Sequence, residues 1–402
     1  MATHPHRLQP TTAGCGTNAK GVTLLYAQVL PVMAIVSLFP AIPKLMHEFG
    51  NLQHAAILVP MIVTIPSLLV ALTAPFAGAI ADRFGRRNSF RAGMILYVLA
   101  GLVPVFTSHI LTIILSRVLL GIAEAFVVTI SSTLIGDYFR EERHRWVSWV
   151  GITTSIAGTL MIAAGGFLAE ISWRGPFFIY TLSIPALILT LIFIDEPLKE
   201  EKSGNFTSRA AYPWKQAGII AAVTLSASLI YYVAPLHIAA VFQQVGVTSP
   251  ATAGLLQAFT TVAYVLGAIW YRKLHAWNIG TLLALAGVLM GIGQLLMGWS
   301  VTAASVVFGA LFQQLGSGMV IPSLLAWGQA LLPLEQRGRG MGIWATAFFT
   351  GTFLCPPLVT AISTQSGGVM AAMVVMGIVA FVFSAVAMAS GHPYKLRYAI
   401  RK

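Results

Sequence analysis

Residues 54–107 read HAAILVPMIVTIPSLLVALTAPFAGAIADRFGRRNSFRAGMILYVLAGLVPVFT. Two apolar runs, 54–80 and 90–107, flank a short connection carrying Asp82, Arg83, Arg86 and Arg87. A helix rises 1.5 Å per residue, so each run is long enough to cross a ~30 Å hydrocarbon core. Apart from Arg91 at the edge of the second run, charge is confined to the connection, where it can sit at the membrane boundary. Gly78 and Gly85 bracket it. Glycine allows close helix approach and a tight turn. The stretch predicts two spanning helices joined on one side of a bilayer.

The same pattern extends outward in both directions. Of the 402 residues, 57% are hydrophobic and 9% are charged. Soluble domains carry about 25% charged residues, so an ordinary soluble enzyme is excluded. The mean hydropathy is +0.81. Twelve apolar segments are expected: 21–43, 54–80, 90–107, 110–136, 146–168, 176–194, 216–242, 251–271, 279–299, 302–331, 340–362 and 369–390. They are read as uninterrupted helices. Internal prolines (Pro31, Pro66, Pro235, Pro322 and Pro356) are tolerated because neighbouring helices can satisfy the carbonyls they free. No strand pattern supports a β-barrel.

The formal net charge of +12 is explained by topology. With the N-terminus inside, 21 of the 24 Lys and Arg fall on the cytoplasmic side. Lys44 and Arg174 fall on the other side, and Arg117 lies within a helix. This bias is the positive-inside rule, and it places both termini in the cytoplasm. No basic face on a soluble fold points to nucleic acid. Cys15 and Cys355 have no CxxC partner or histidine cluster, so no metal site or disulfide framework is expected. The polar N-terminus lacks a signal-peptide cleavage pattern, so the first segment is expected to remain in the membrane.

The expected organisation is a cytoplasmic tail (1–20), a six-helix bundle (21–195), a polar central loop (196–215), a second six-helix bundle (216–390) and a basic tail (391–402). The loop's Asn205-Phe206-Thr207 matches a glycosylation acceptor but lies on the cytoplasmic side, so it is read as chance. The halves echo each other. Gly78-Ala79-Ile80 with Arg83 recurs as Gly267-Ala268-Ile269 with Arg272, and Glu141, Arg143, Arg145 recur as Glu335, Arg337, Arg339. A parallel repeat of six helices is the architecture of two halves rocking around a midplane site.

Residues 78–87, GAIADRFGRR, resemble the signature between helices two and three of the major facilitator superfamily, G-x-L-A-D-R-x-G-R-R/K, with Ile80 in place of Leu. The resemblance runs from about Gly21 to Ser390. Arg117 and Gly121 resemble the R-x-x-x-G motif of helix four, and Asp137 with Arg143 the loop that follows it. Trp173-Arg174 before Pro176-Phe177 resembles the WR-x-P-F opening of helix six, and Phe39-Pro40 with Pro43 the proline pair that ends helix one in exporters. The helix-five pattern of drug:proton antiporters, G-P-x-x-G-G, is kept only in part. Gly165-Gly166 are present, but Met161-Ile162 replace Gly-Pro; Gly158 is kept. The resemblance implies an all-α membrane protein of the major facilitator fold, with 12 transmembrane helices in two six-helix pseudo-repeat bundles, similar to 12-helix drug:proton antiporters.

Glu124 lies near the middle of helix four, seven positions after Arg117. Seven residues are two turns, so both leave nearly the same helix face, about 10 Å apart along the axis. An ionised side chain at the bilayer centre costs about 2.5–3.5 kcal/mol on insertion scales and should face the bundle interior or a wet cavity. Two roles fit Glu124: a proton carrier, or a carboxyl held by Arg117 or other donors that fixes helix four. Two roles also fit Arg117: binding an anionic substrate group or tuning Glu124, and packing against buried carbonyls. The family resemblance implies a part in proton transfer for Arg117. It also implies an inner gate made by Gly78, Asp82, Arg83, Gly85, Arg86 and Arg87, joined by Asp137 and Arg143. Topology alone accounts for the arginines but not for Asp82 or the glycines.

Polar or aromatic residues at mid-helix depth are Gln28, Tyr232, Gln257, Tyr264, Gln313, Gln314 and Trp344. They are candidate contacts for an amphipathic organic substrate, and each also fits helix packing. Gly316 and Gly318 are read as close helix packing, and His237 as a polar residue near the outer end of helix seven. No P-loop, HExxH, serine-hydrolase or kinase signature is present, so transport without ATP hydrolysis is expected, with no cofactor and with a proton gradient as energy source.

The expected activity is proton-coupled export of small organic compounds, of the multidrug-efflux type. The alternative is a proton symporter taking up a small organic anion or nutrient. An intramembrane enzyme would need a catalytic constellation at one depth, and only Glu124 and Arg117 offer themselves. A bacterial inner membrane and a functional monomer are expected.

Overall fold

The computed structural model describes residues 13–139, 141–197, 213–274, 277–332 and 337–389, with the side chains of 13–17, 143–144 and 337–339 excepted. The glycosylation triad and Glu335 lie outside the described residues, as do the side chains of Cys15, Arg143, Arg337 and Arg339. All described secondary structure is helical apart from an isolated bridge position at Asn278. The helices are α1 (Ala13–Val36), α2 (Ile42–Phe49), α3 (Ala55–Phe84), α4 (Arg86–Phe106), α5 (Ile110–Tyr138), α6 (Arg143–Ile171), α7 (Ser183–Phe193), α8 (Trp214–Gln244), α9 (Pro250–Leu274), α10 (Ile279–Gly298), α11 (Ala303–Leu331), α12 (Arg337–Ser366) and α13 (Val369–Ala389). They supply twelve spans long and apolar enough to cross a membrane.

Two spans are broken, against the expectation of uninterrupted helices. The first is α1, a 3-10 turn at Phe39–Ala41 and then α2. Pro40 cannot donate to the carbonyl four residues back, and its ring clashes there. That carbonyl belongs to Val36, where α1 stops. The sixth span begins as a 3-10 helix, Gly175–Leu182, with Pro176 in its first turn, and continues as α7.

The signature connection is also not a loop. Helix α3 runs through Asp82 and Arg83 to Phe84, and α4 begins at Arg86. Gly85 alone turns the chain, at φ +95°, which a residue with a Cβ rarely adopts.

In the first half α5 packs against α3 and α4, and α1 against α5 and α6; in the second, α10 packs on α11 and α13, and α8 on α12. Glycines set the spacing. A Cβ on Gly121 would lie 2.6 Å from the Pro66 carbonyl oxygen, and one on Gly316 2.5 Å from that of Ala286. Gly316 and Gly318 are therefore packing glycines, as their spacing implied.

The halves meet along α6–α9 and α3–α12. At the end opposite the basic connections, a Cβ on Gly166 would lie 3.0 Å from Gly254 Cα and 2.5 Å from the Pro250 oxygen. There Glu170 Oε2 accepts from Ser249 Oγ (2.7 Å) and Ala251 N (3.1 Å), and Lys44 Nζ donates to the carbonyls of Ala169 (2.7 Å) and Glu170 (2.8 Å). Thr159 and Thr261 share a hydroxyl bond of 2.8 Å nearer the middle.

Gly166→Val should therefore push α6 from α9 and lower stability by about 1–3 kcal/mol. Gly151→Ala on the same helix has nothing within 4 Å to meet and should change stability little. Thermal melting of the purified protein compares the two.

Candidate functional site

A cavity of about 500 Å³ lies between the halves, walled by α1, α3, α5, α6, α8, α9, α11 and α12. Of the sequence candidates, Gln28, Glu124, Tyr232, Gln257, Tyr264 and Gln314 line it. Tyr231, Phe348 and Phe349 also line it and were missed. Tyr231 stands beside Tyr232 and one helical turn before Pro235, which was the signal available. Among the described residues the wall carries one charged side chain, Glu124, and no Lys, Arg or His.

Glu124 is 1% exposed, and its Oε1 has no hydrogen-bond partner among the described residues. An unpartnered buried carboxyl oxygen is costly and is a ready acceptor for a ligand or proton. Across the cavity, Tyr231, Tyr232 and Phe348 pack edge to face, with ring centres 4.8 Å apart for the tyrosine pair and 5.9 and 5.7 Å to Phe348. Such rings offer flat apolar area and negative π faces. Gln28 Nε2 donates to Ser132 Oγ at 2.7 Å and Gln257 Nε2 to the Pro235 carbonyl at 3.0 Å. These bonds fix both amides in the wall.

Three candidates lie elsewhere. Gln313 is fully buried and donates to the Tyr231 carbonyl and to Ser317 Oγ, both at 3.0 Å. Trp344 stacks on Phe348 with centroids 5.4 Å apart and is not in the cavity wall. Arg117 has no exposed surface and points into the first bundle rather than the cavity. Its Nη2 donates to the carbonyls of Ala100 (2.9 Å) and Gly101 (3.1 Å), and its guanidinium lies 4.9 Å from the Tyr180 ring centre and 5.4 Å from that of Phe177. His237 bonds back to the Val233 carbonyl at 2.9 Å.

The charged cluster sits at the basic end of the first half. Arg86 pairs with Asp137 on α5 and lies 3.5 Å from Asp82 on α3. Arg83 stacks on Phe84, 5.4 Å from its ring centre. Glu196, not among the sequence candidates, accepts from the backbone N–H of Arg86 and of Arg87, each at 2.8 Å. It caps α4 at the position where helix N–H groups have no internal partner. An acid before Pro197 at the end of a span was the signal available. Asp195 beside it pairs with Lys20 Nζ at 2.9 Å, and its carbonyl accepts from the Tyr138 hydroxyl. These bonds join α1, α3, α4, α5 and the segment after α7, all in the first half. Gly78 packs α3 near Thr129 of α5.

Hydrogen bonding to Lys20 holds the Asp195 carboxyl below the usual aspartate range. A lowered folded value stabilises above the unfolded one and fades as pH falls through the folded value. The Lys20 tie should therefore persist at neutral pH and release only below the ordinary aspartate range. Because Asp195 is 59% exposed, the effect should be small and weakened by salt. Amide exchange at the start of α1, followed against pH, reads it.

The comparisons with known proteins agree with this architecture. A family model described as Major Facilitator Superfamily matches residues 24–286 and again 216–396. Multidrug resistance protein 2 of Bacillus subtilis (strain 168) is 24% identical over 212 residues, 52% of this chain and 50% of its own length. Tetracycline resistance protein, class B, of Escherichia coli is 28% identical over 193 residues, 47% of each chain. The chain thus spans about half the length of these curated relatives. Among solved structures, the nucleoside transporter NupG superposes with a TM-score of 0.78 at 10% identity, over 93% of this chain and 100% of its own. A bacterial homologue of the human lysosomal transporter Spinster, inward-facing, superposes at 0.76 and 13% identity, over 94% and 97%. At such identities the structures establish the fold. The matched model, the twelve spans and the two bundles together make this chain an integral membrane protein that belongs to the Major Facilitator Superfamily.

Proposed function

We propose that the protein is a secondary active transporter that exports small neutral or cationic organic compounds in exchange for protons. Bundles 21–195 and 216–390 rock about the central cavity, with no cofactor and with the proton gradient as energy source. The basic end is the cytoplasmic end, by the positive-inside rule, and both termini lie there. The membrane is a bacterial inner membrane, and one chain suffices for the cycle.

The observation that carries this reading is the lone acid of the cavity. Glu124 faces a wall of aromatic rings and amides with no basic side chain in it. A carboxylate there attracts a proton or a cationic or polar aromatic compound, and the two compete for it. Exchange of one for the other is antiport. The names of the relatives, a multidrug and a tetracycline resistance protein, support export of drug-like molecules.

Uptake of an organic anion has less support. Arg117, the intramembrane cation that would capture a carboxylate, is enclosed in the first bundle. Gly85 and the cluster of Asp82, Arg83, Arg86, Arg87 and Asp137 act as the inner gate, with Gly78 setting its helix spacing. The cluster holds the cytoplasmic end of the first bundle as one unit.

Inside-out vesicles acidified in their lumen should accumulate a lipophilic cation or a neutral aromatic drug, and collapsing the pH gradient should release it. Accumulation of an organic anion when the medium is the acidic side, so that protons run into the lumen, would establish symport instead.

A further inference from the structure

A proline inside a helix lacks the N–H that would bond the carbonyl four residues back. Three carbonyls freed in this way are met by a side chain from another helix. Pro104 frees Ala100, whose oxygen accepts from Arg117 at 2.9 Å. Pro235 frees Tyr231, whose oxygen accepts from Gln313 at 3.0 Å. Pro75 frees Ala71, whose oxygen accepts from Thr346 Oγ1 at 3.1 Å. The first two bonds lie within one bundle and stay intact when the bundles move. The third runs from α12 to α3 and joins the halves.

We propose that the Thr346–Ala71 bond is a switchable tie that favours the state in which α3 and α12 are packed together beside the central cavity. Thr346 acts as a positioning residue for the conformational cycle. Ala71 is 4% exposed, so its freed carbonyl is poorly hydrated while the helices touch. The Thr346 hydroxyl satisfies it only in that state, and water does so once the helices part. Pro75 makes the carbonyl needy, and Thr346 makes contact the remedy.

The place suits a gate. Ala71, Pro75 and Thr346 line a second cavity of about 730 Å³ among α3, α5, α8 and α12. Val70 and Phe349 line both this cavity and the central one, so the two adjoin. The opposite end is held by backbone contact at Gly166 and Gly254 and by the Glu170 bonds. The α3–α12 seam has a hydrogen bond that can break and reform without repacking a core.

This rests on the alternating-access reading, and its test needs neither substrate nor gradient. Leu225 on α8 faces the second cavity. In the full-length chain carrying Cys15→Ser, Cys355→Ser and Leu225→Cys, the rate of labelling by an impermeant maleimide in nanodiscs reports how far that cavity is open.

Thr346→Val keeps the side-chain shape and removes the donor, so it should raise the rate about fivefold, the population shift that one ordinary hydrogen bond carries. Thr346→Ser should stay within about twofold of the parent, because it keeps the hydroxyl. In a Pro75→Ala background the helix supplies its own N–H to Ala71, and Thr346→Val should then have little effect. An unchanged rate in Thr346→Val, an equal rise in Thr346→Ser, or a fivefold effect that persists with Ala at 75 would overturn the tie. If vesicle accumulation fails while the labelling cycle holds, the tie stands and the exchange reading is what falls.

Discussion

Glu124→Gln should abolish ligand-induced proton release and collapse gradient-driven accumulation of substrate; it should weaken binding of a lipophilic cation and leave binding of a neutral aromatic drug to the purified protein. Glutamine keeps the length and shape of the side chain but cannot exchange a proton. For a neutral substrate exchanged one for one, the proton's charge crossing 100 mV gains about 2.3 kcal/mol, roughly a fiftyfold concentration ratio at equilibrium. Without the titrating carboxyl that ratio should return to unity in inside-out vesicles.

Proton release is read with a pH dye in weakly buffered detergent, on adding lipophilic cations, neutral drugs and organic anions in turn. Wild-type release on adding a cation, absent in Glu124→Gln, establishes competition at this carboxyl. Release unchanged in the variant would remove Glu124 from coupling, because no other charged side chain stands in the described cavity wall.

The second large effect is on stability. Arg117→Ala should destabilise the protein by about 1–3 kcal/mol, the range for leaving a buried carbonyl without its donor. The side chain is fully buried, and its loss leaves the Ala100 and Gly101 carbonyls without their donor. It also empties the space beside the rings of Phe177 and Tyr180. Arg117→Lys keeps the charge but loses the planar fork that reaches two carbonyls and stacks on two rings, so it should recover little.

Pro104→Ala in the Arg117→Ala background returns an N–H to Ala100 and should recover about 1 kcal/mol. Thermal melting in detergent separates these variants. If Arg117→Ala melts like wild type yet loses proton-coupled accumulation, the packing role assigned to Arg117 is wrong and a direct role in proton transfer is required.

Much of the fold was legible because it depends on local properties. Residues 54–107 already hold two spans and a charged connection, and hydropathy finds the rest wherever about twenty apolar residues run together. The breaks were less visible. Pro40 stands inside an apolar run that hydropathy cannot divide, yet it stops α1 at Val36. The signature residues were read as a loop because charge dominates them. Backbone geometry needs only Gly85 for the turn and carries helix through Asp82 and Arg83.

The site was legible in residue type and not in direction. Five of the seven polar and aromatic candidates line the cavity with Glu124, while Gln313, equally polar and next to Gln314, turns to the Tyr231 carbonyl. Adjacent residues on a helix face about 100° apart, so which of the two meets the cavity depends on the rotation of α11 against its neighbours. Glu196 was passed over as part of a polar loop. Its role as a cap exists only because the chain after α7 returns to the start of α4.

The sequence by itself determined the twelve spans, the charge asymmetry across the membrane and the family, because solubility in hydrocarbon and charge at an interface are properties of short segments. Tertiary structure alone decided the division of labour on α5. Arg117 and Glu124 leave that helix from nearly the same face, two turns apart, yet one is enclosed by the bundle and the other stands in the cavity. The physical reason lies in what each meets. Pro104 on α4 presents a carbonyl that lacks its helical donor, and the long guanidinium reaches it. The shorter carboxyl of Glu124 meets the gap between the halves.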